Sequence, residues 1–234
     1  TAIILNIEEE HLDYFKDLDN IKESFAKFIG IMHENGKLIV NKDDENIHDV
    51  LTLANNSITS KNISVYTYST KTTDADMYAE NIKIADNKCY EFDAYYKGTL
   101  LTHIKLNAPG VHNVSNALAT LLSCVVNDIP VELAKAGLEE FTGASRRFEY
   151  RKTIGENVNV YDDYAHHPTE IMTTLTTARE KTDGRVIAVF EPHTYTRTYT
   201  LFDKFVNVLK TADIVLLADI YAAREENIWG VSSE

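Results

Sequence analysis

Positive charge is in short supply in this sequence. Twenty-three Lys and Arg face 36 Asp and Glu, a formal net charge of −13 at pH 7, and a field of that sign repels nucleic acid and anionic membrane surfaces alike. Cysteine is far sparser, with two residues. Cys89 and Cys124 sit in apolar contexts with no metal-ligand spacing, so they read as buried free thiols in a reducing compartment. No apolar run approaches membrane-spanning length, and no charged n-region with an apolar h-region opens the chain, so the cytoplasm is the expected location. Arginine is missing from the first 145 residues. All seven (Arg146, Arg147, Arg151, Arg179, Arg185, Arg197 and Arg224) come later, which suggests a fork kept for carboxylate or phosphate at Arg146, Arg147, Arg197 and Arg224. Arg151, Arg179 and Arg185 read as solvated surface.

What the chain does have is one dense polar stretch, Val160-Tyr161-Asp162-Asp163-Tyr164-Ala165-His166-His167-Pro168-Thr169-Glu170. Val158 and Val160 suggest a strand before it, and Ile171, Leu175 and Ala178 recur at helical spacing after it. Pro168 suits the first helical position, where no N–H is needed, and Glu170 suits the positive end of the helix dipole. The stretch is therefore a βα loop, the place where open α/β sheets bind ligands. Arg185 to Phe190 reads as a second strand, buried on both faces, and it ends in Glu191-Pro192-His193-Thr194-Tyr195-Thr196-Arg197-Thr198. A helix with Leu201, Phe205 and Val208 on one face follows. Asp213 to Ala218 is a third strand, ending in Asp219-Ile220-Tyr221-Ala222-Ala223-Arg224-Glu225. Three parallel strands joined by right-handed crossovers would bring three polar ends to one edge.

Length allows one large or two ordinary domains. Residues 1–7 read as a strand with no element before it, which suggests a chain that starts in mid-sheet. It runs into Glu8-Glu9-Glu10-His11-Leu12-Asp13-Tyr14, a group suited either to a hard divalent cation and its phosphate or merely to solvent. Asp19 is the expected N-cap of a helix burying Ile21, Phe25, Phe28 and Met32 and closed by Gly36. Lys37 to Asn41 is a strand, and Asp43-Asp44 starts a helix with Ile47, Val50, Leu51 and Ala54 inward. From Ile63 to Leu106 the period becomes alternating, with turns at Asp86-Asn87 and Lys97-Gly98, as in an antiparallel insertion. Asn113 and Asn116 then share the first turn of a helix, where they either meet the edge of a purine or cap the helix. A second helix runs from Val131 to Phe141. The linker after it places a boundary between a domain over 1–145 and one over 146–234.

Taken together, Glu8 to Asp13, Pro109-Gly110-Val111-His112-Asn113-Val114-Ser115-Asn116-Ala117, Gly143-Ala144-Ser145-Arg146-Arg147-Phe148-Glu149, Asp162 to Glu170, Pro192 to Thr198 and Asp219 to Glu225 resemble the Mur ligases in order and spacing. Within that family they are most similar to the branch that adds alanine to the peptidoglycan precursor. The resemblance implies an α/β chain in which part of a central ATPase domain with an antiparallel β insertion precedes a Rossmann-like parallel-sheet C-terminal domain. It implies a reaction joining L-alanine to the carboxylate of UDP-N-acetylmuramate with ATP and Mg2+, through an acyl phosphate. By the same resemblance His11 is the magnesium ligand, Asn113 and Asn116 contact adenine, and Arg147 and Asp163 contact phosphate and ribose. Tyr164, His166, His193 and Arg197 form the alanine pocket.

Three departures qualify the carry-over. No Gly-x-x-x-x-Gly-Lys-Ser/Thr occurs, since Gly36-Lys37 is followed by Leu38; the family carries that loop earlier, with a UDP-sugar-binding domain, so a fragment that is inactive alone is expected. Thr194 stands where many members have arginine. Phe25 occupies the turn where some sister ligases carry a modified lysine. Two other readings compete: the recycling ligase that attaches a tripeptide to the same sugar, and a non-catalytic nucleotide- or metal-binding module. A metal-dependent hydrolase on His11, His166, His167 and His193 lacks local ligand spacing.

Overall fold

The computed structural model describes residues 1–11 and 14–234. Leu12 and Asp13, the end of the expected acidic motif, lie outside the described residues. The chain forms two compact units, Thr1–Thr142 and Gly143–Glu234.

The first unit is built on a six-stranded sheet in sequential order: β1 (Ala2–Ile4), β2 (Lys37–Asn41), β3 (Ser64–Ser69), β4 (Met77–Ile84), β5 (Tyr90–Tyr96) and β6 (Thr99–Lys105). Helix α1 (Leu18–Gly30) joins β1 to β2, while α2 (Ile47–Leu53) and α3 (Asn55–Ser60) join β2 to β3; α4 (His112–Val126) and α5 (Val131–Glu140) close the unit. Leu38 and Val40 of β2 pack with Ile21 and Ile29 of α1 and with Ile47 and Val50 of α2. Ile39 points the other way, into Phe92, Ile104 and the Leu118, Leu121 and Leu122 stripe of α4. Helices on both faces explain why three successive residues of β2 can all be apolar.

Several boundaries differ from the sequence reading. β1 is shorter than residues 1–7, because Ile7 satisfies its backbone elsewhere: its N–H donates to the Asp44 carboxylate at 2.7 Å and its C=O accepts from Asn46 Nδ2 at 2.9 Å. The first helix is capped by Asp17, not Asp19, and Asp17 accepts the Asn20 N–H at 2.9 Å. It ends at Gly30 rather than Gly36, since the left-handed Asn35 (φ 56°) closes a separate turn. One stripe of Ile21 and Ile29 suffices to seat it, and Phe28 stays exposed. Asp43 and Asp44 precede α2 by several residues; Asp43 instead receives Ser69 Oγ, Thr70 N and Thr70 Oγ1, tying the ends of β2 and β3 together. The antiparallel part begins one strand later than expected. β3 lies parallel to β2, and β4 meets β3 in parallel through Met77 and Tyr78 before pairing antiparallel with β5. Alternation alone does not report strand direction.

The second unit holds two small sheets. β7 (Glu149–Ile154) and β8 (Val158–Asp162) form an antiparallel hairpin, and β9 (Ile187–Phe190) pairs in parallel with β10 (Ile214–Leu217). The expected set of three parallel strands is thus a pair, because β8 spends its ladder on β7 around a turn with left-handed Gly155 (φ 62°). Helices α6 (Pro168–Lys181), α7 (Tyr195–Thr200) and α8 (Phe202–Leu209) complete the unit. Its core joins Ile171 and Leu175 of α6 to Val186, Phe190, Phe205, Val208 and Leu209. The strand expected to be buried on both faces is covered on one: Ile187 and Val189 are 48% and 76% exposed. The α/β class with an antiparallel insertion and a parallel C-terminal sheet stands.

Candidate active site

In the second unit the loop between β8 and α6 is held by its own acids. Pro168 occupies the first position of α6 and His167 the N-cap, and the Glu170 side chain reaches back in a capping box. Glu170 Oε2 accepts the N–H of His166 at 3.0 Å and of His167 at 3.3 Å, while Oε1 pairs with Arg147 Nη1 at 3.0 Å. Burial opposes this carboxylate's charge, but the His166 N–H, Arg147, the nearby His166 ring and the His167 N–H outweigh it and lower its pKa. One carboxylate thus links Arg147, from the stretch entering β7, to His166 in the βα loop.

Asp163 is as heavily used. Its Oδ2 accepts Phe148 N and Thr174 Oγ1, each at 2.9 Å, and its Oδ1 accepts Ala165 N at 2.8 Å. Three of roughly four acceptor positions on a carboxylate are therefore filled from within the unit. Arg146, at φ 57°, lays its guanidinium over the Tyr164 ring, 4.4 Å from the centroid.

The rings continue in one direction. Tyr164 meets His166 edge-on at 5.2 Å, His166 lies 6.3 Å from His193, and His193 stacks on Tyr221 at 5.5 Å with 24° between planes. Arg197 Nη1 lies 3.1 Å from His193 Nδ1 and 3.3 Å from the His193 carbonyl. A guanidinium only donates, so His193 Nδ1 accepts and its proton sits on Nε2. Burial, then the charges of Arg197 and His166, lower the His193 pKa and keep the ring neutral. Tyr164, His166, His193 and Arg197 therefore come together as one cluster.

Sequence reasoning missed Glu170 as a bridge, and Tyr221 and Glu225 as neighbours of that cluster. The signal for Glu170 was available: an acid three residues after an N-cap position is the capping-box spacing. Nothing local marks Tyr221, which meets His193 only through strand pairing. Of the arginines read as surface, Arg151 and Arg179 are exposed as expected, each beside an acid: Arg179 bonds Asp213 at 2.6 Å and the Gly184 carbonyl at 3.0 Å, and Arg151 pairs with Glu149 at 2.8 Å.

In the first unit, His11 (φ 54°) lines a 520 Å3 cleft together with the polar Asn6, Glu8 and Glu10 and the apolar Phe15, Phe25 and Phe28. Among the described residues no three His, Cys, Asp or Glu gather closely enough to cage a metal ion. That donor set fits a magnesium ion held mostly by phosphate oxygens and water, with one or two protein ligands, and does not fit an all-protein site. Asn113 and Asn116 are linked on α4: Asn116 Nδ2 donates to Asn113 Oδ1 at 3.3 Å, and Asn113 Nδ2 donates to the Pro109 carbonyl at 2.7 Å. Neither caps α4, whose N-terminus has no side-chain cap. Burial pushes the Tyr68 phenol up to about 12, and its buried hydroxyl has no hydrogen-bond partner among the described residues.

Relatives sharpen this picture. Residues 1–124 match the family model of the Mur ligase middle domain, and residues 146–233 match that of the Mur ligase glutamate ligase domain. The UDP-N-acetylmuramate–L-alanine ligase of Caldicellulosiruptor bescii is 46% identical over 238 residues, covering 100% of this chain and 49% of that protein. The chain spans about half the length of the curated relatives it matches. Among solved structures, the UDP-N-acetylmuramate–alanine ligase of Thermotoga maritima superposes with a TM-score of 0.71 at 27% identity, over 94% of this chain and 45% of that one. A murein peptide ligase from Psychrobacter arcticus gives 0.63 at 28% identity, over 92% and 42%. With successive family models matched across both of its units, the chain belongs to the Mur ligase family.

Proposed function

We propose that this chain is part of an ATP-dependent ligase that joins L-alanine to the carboxylate of UDP-N-acetylmuramate in peptidoglycan precursor synthesis in the cytoplasm. Residues 1–145 would belong to its ATP-binding domain and 146–234 to its C-terminal ligase domain. The observation that carries the reading is the gathering of Tyr164, His166, His193 and Arg197 around one pair of hydrogen-bonded groups. Relatives named for alanine ligation support it.

A carboxylate resists attack by an amine, so it is first made an acyl phosphate by transfer of the γ-phosphoryl group from ATP. The alanine amine then adds to the acyl carbon, the C–O bond to phosphate breaks with its electrons going to the departing phosphate, and the nitrogen gives up a proton to leave the neutral amide. Magnesium, when bound, offsets charge on the phosphates, and His11 would be its protein ligand. Asn113 and Asn116 would meet adenine, and Arg147 would face phosphate. Asp163 would reach the ribose through its one remaining acceptor position while its other bonds fix the loop. Arg197 would hold the alanine carboxylate, and His193, presenting Nε2–H, suits the same anion better than it suits an amine. Tyr164 and His166 would wall the side-chain pocket.

The test is ATP- and alanine-dependent phosphate release by the full-length protein given UDP-N-acetylmuramate. Turnover with alanine and little with L-alanyl-γ-D-glutamyl-diaminopimelate is expected; preference for the tripeptide would assign the recycling reaction instead. We further propose that these 234 residues alone do not turn over, because no Gly-x-x-x-x-Gly-Lys-Ser/Thr loop lies among them to cradle phosphates.

A further inference from the structure

Residues 219–225 have no part in the proposed reaction, yet they hold the loop that does. The parallel pairing of β9 and β10 continues past both strands. Ala218 N donates to Phe190 O at 2.9 Å, Tyr221 N to Pro192 O at 2.8 Å, and Thr194 N to Tyr221 O at 2.9 Å, with His193 and Tyr221 bridged. The Tyr221 ring stacks on His193, and Glu225 Oε2 accepts the Thr196 N–H at 2.7 Å.

What these bonds hold is strained. Thr194 sits at φ 67°, ψ 144°, a conformation open to glycine and costly for a β-branched residue. Such a turn persists only where its surroundings over-determine it. Here the carbonyl of Thr194 also receives Thr198 N and Thr198 Oγ1, and its hydroxyl accepts Arg197 N. The turn aims His193 and Arg197 at each other across one helical step.

We propose that Tyr221 and Glu225 are positioning residues, which fix the turn at Thr194 and thereby set the His193–Arg197 pair against the amino-acid substrate. The proposal rests on the alanine reading given above. Neither residue need touch alanine: the stack uses the face of the Tyr221 ring, and Glu225 acts through the Thr196 amide.

In the full-length ligase, Tyr221→Ala should raise KM for alanine about tenfold, as small misplacements of a binding group do, with KM for ATP unchanged. Tyr221→Phe should restore the wild-type value, since the stack needs the ring and not the hydroxyl. Glu225→Ala should act in the same direction, and Glu225→Gln, whose amide oxygen still accepts the Thr196 N–H, should reverse it. In the 234-residue chain, the carbon-bound protons of His193 should carry a ring-current shift in NMR that Tyr221→Phe keeps and Tyr221→Ala removes. An unchanged alanine KM in Tyr221→Ala overturns the proposal, as does equal damage from Tyr221→Phe, which would mean the hydroxyl meets substrate. A His193 shift independent of Tyr221 overturns it too. The NMR arm reads the clamp without turnover, so a ligase indifferent to alanine would count against the alanine reading and not against the clamp.

Discussion

In the N-terminal unit Leu38, Ile39 and Val40 are all fully buried, whereas in the C-terminal unit Ile187 and Val189 of the equally apolar β9 stand 48% and 76% exposed. The first sheet has helices on both faces, and the second is covered by α6 and α8 on one. Even the best-buried members of the C-terminal cluster, Ile171 and Phe205, keep 5% of their surface. The same unit carries the ring cluster and the strained Thr194, and its Asp163 and Glu170 each accept three hydrogen bonds, as Asp43 of the first unit does between β2 and β3. The N-terminal unit is thus held chiefly by apolar burial, and the polar loops of the C-terminal unit by polar bonds and ring contacts. Mutations should sort accordingly.

The largest effect belongs to the apolar side. Phe92→Ala, at 0% exposure among β5, β6 and α4, should cost about 3–5 kcal/mol, read by denaturant unfolding followed by circular dichroism. A loss below about 1 kcal/mol would remove the contrast between the units. Next comes Asp163→Ala. It strands the Phe148 and Ala165 amides and the Thr174 hydroxyl and should cost about 2–3 kcal/mol. Trp229, the chain's one tryptophan, stacks on Tyr199 and reports this unit by fluorescence.

Glu170→Ala removes the capping box and the Arg147 pair, with an expected cost of about 1–2 kcal/mol by the same fluorescence. Its pH signature has a definite sign. The folded pKa lies below the ordinary value of 4.5, so the stabilisation is complete above that value and is lost as pH falls through the folded one. Glu170→Gln should flatten the acid limb of a stability-against-pH curve; an unaltered limb would place the acid sensitivity elsewhere.

The smallest effect is at His193. Its folded pKa lies below 6.5, so the unfolded chain takes up the proton first. Stability should decline as pH falls through that value and level off below the folded one. Urea midpoints between neutral and mildly acidic pH should show this slope in the wild type and lose it in His193→Gln.

Much of this was legible in the residues. The stripe Leu118, Leu121, Leu122 marks α4, and Pro168 with Glu170 marks the start of α6, because helical periodicity and end chemistry are local properties. The polar loops after β8, β9 and β10 were legible for the same reason. The partner of β8 was not: Val158 to Asp162 looks the same whether it pairs with β7 or joins a parallel sheet. Exposure of Ile187 and Val189 was equally hidden, since an apolar run states what could be covered and not what covers it. Asp163 read as a ligand contact by resemblance, while its bonds to Phe148 and Thr174 depend on residues 15 and 11 positions away.

The sequence by itself determined most helices and strands, though not β7, and which loops carry acids, imidazoles and guanidinium groups, while the resemblance of motifs along the whole chain identified the family. The elements and the loop chemistry follow from residue spacing within a turn or two of chain. Only the tertiary structure decided that Arg197 faces His193 Nδ1, that Tyr221 backs the same ring, and that Thr194 is forced to positive φ. Those depend on pairing between β9 and β10, whose ends lie more than a helix apart in the chain, and no local pattern encodes which strand will lie beside which.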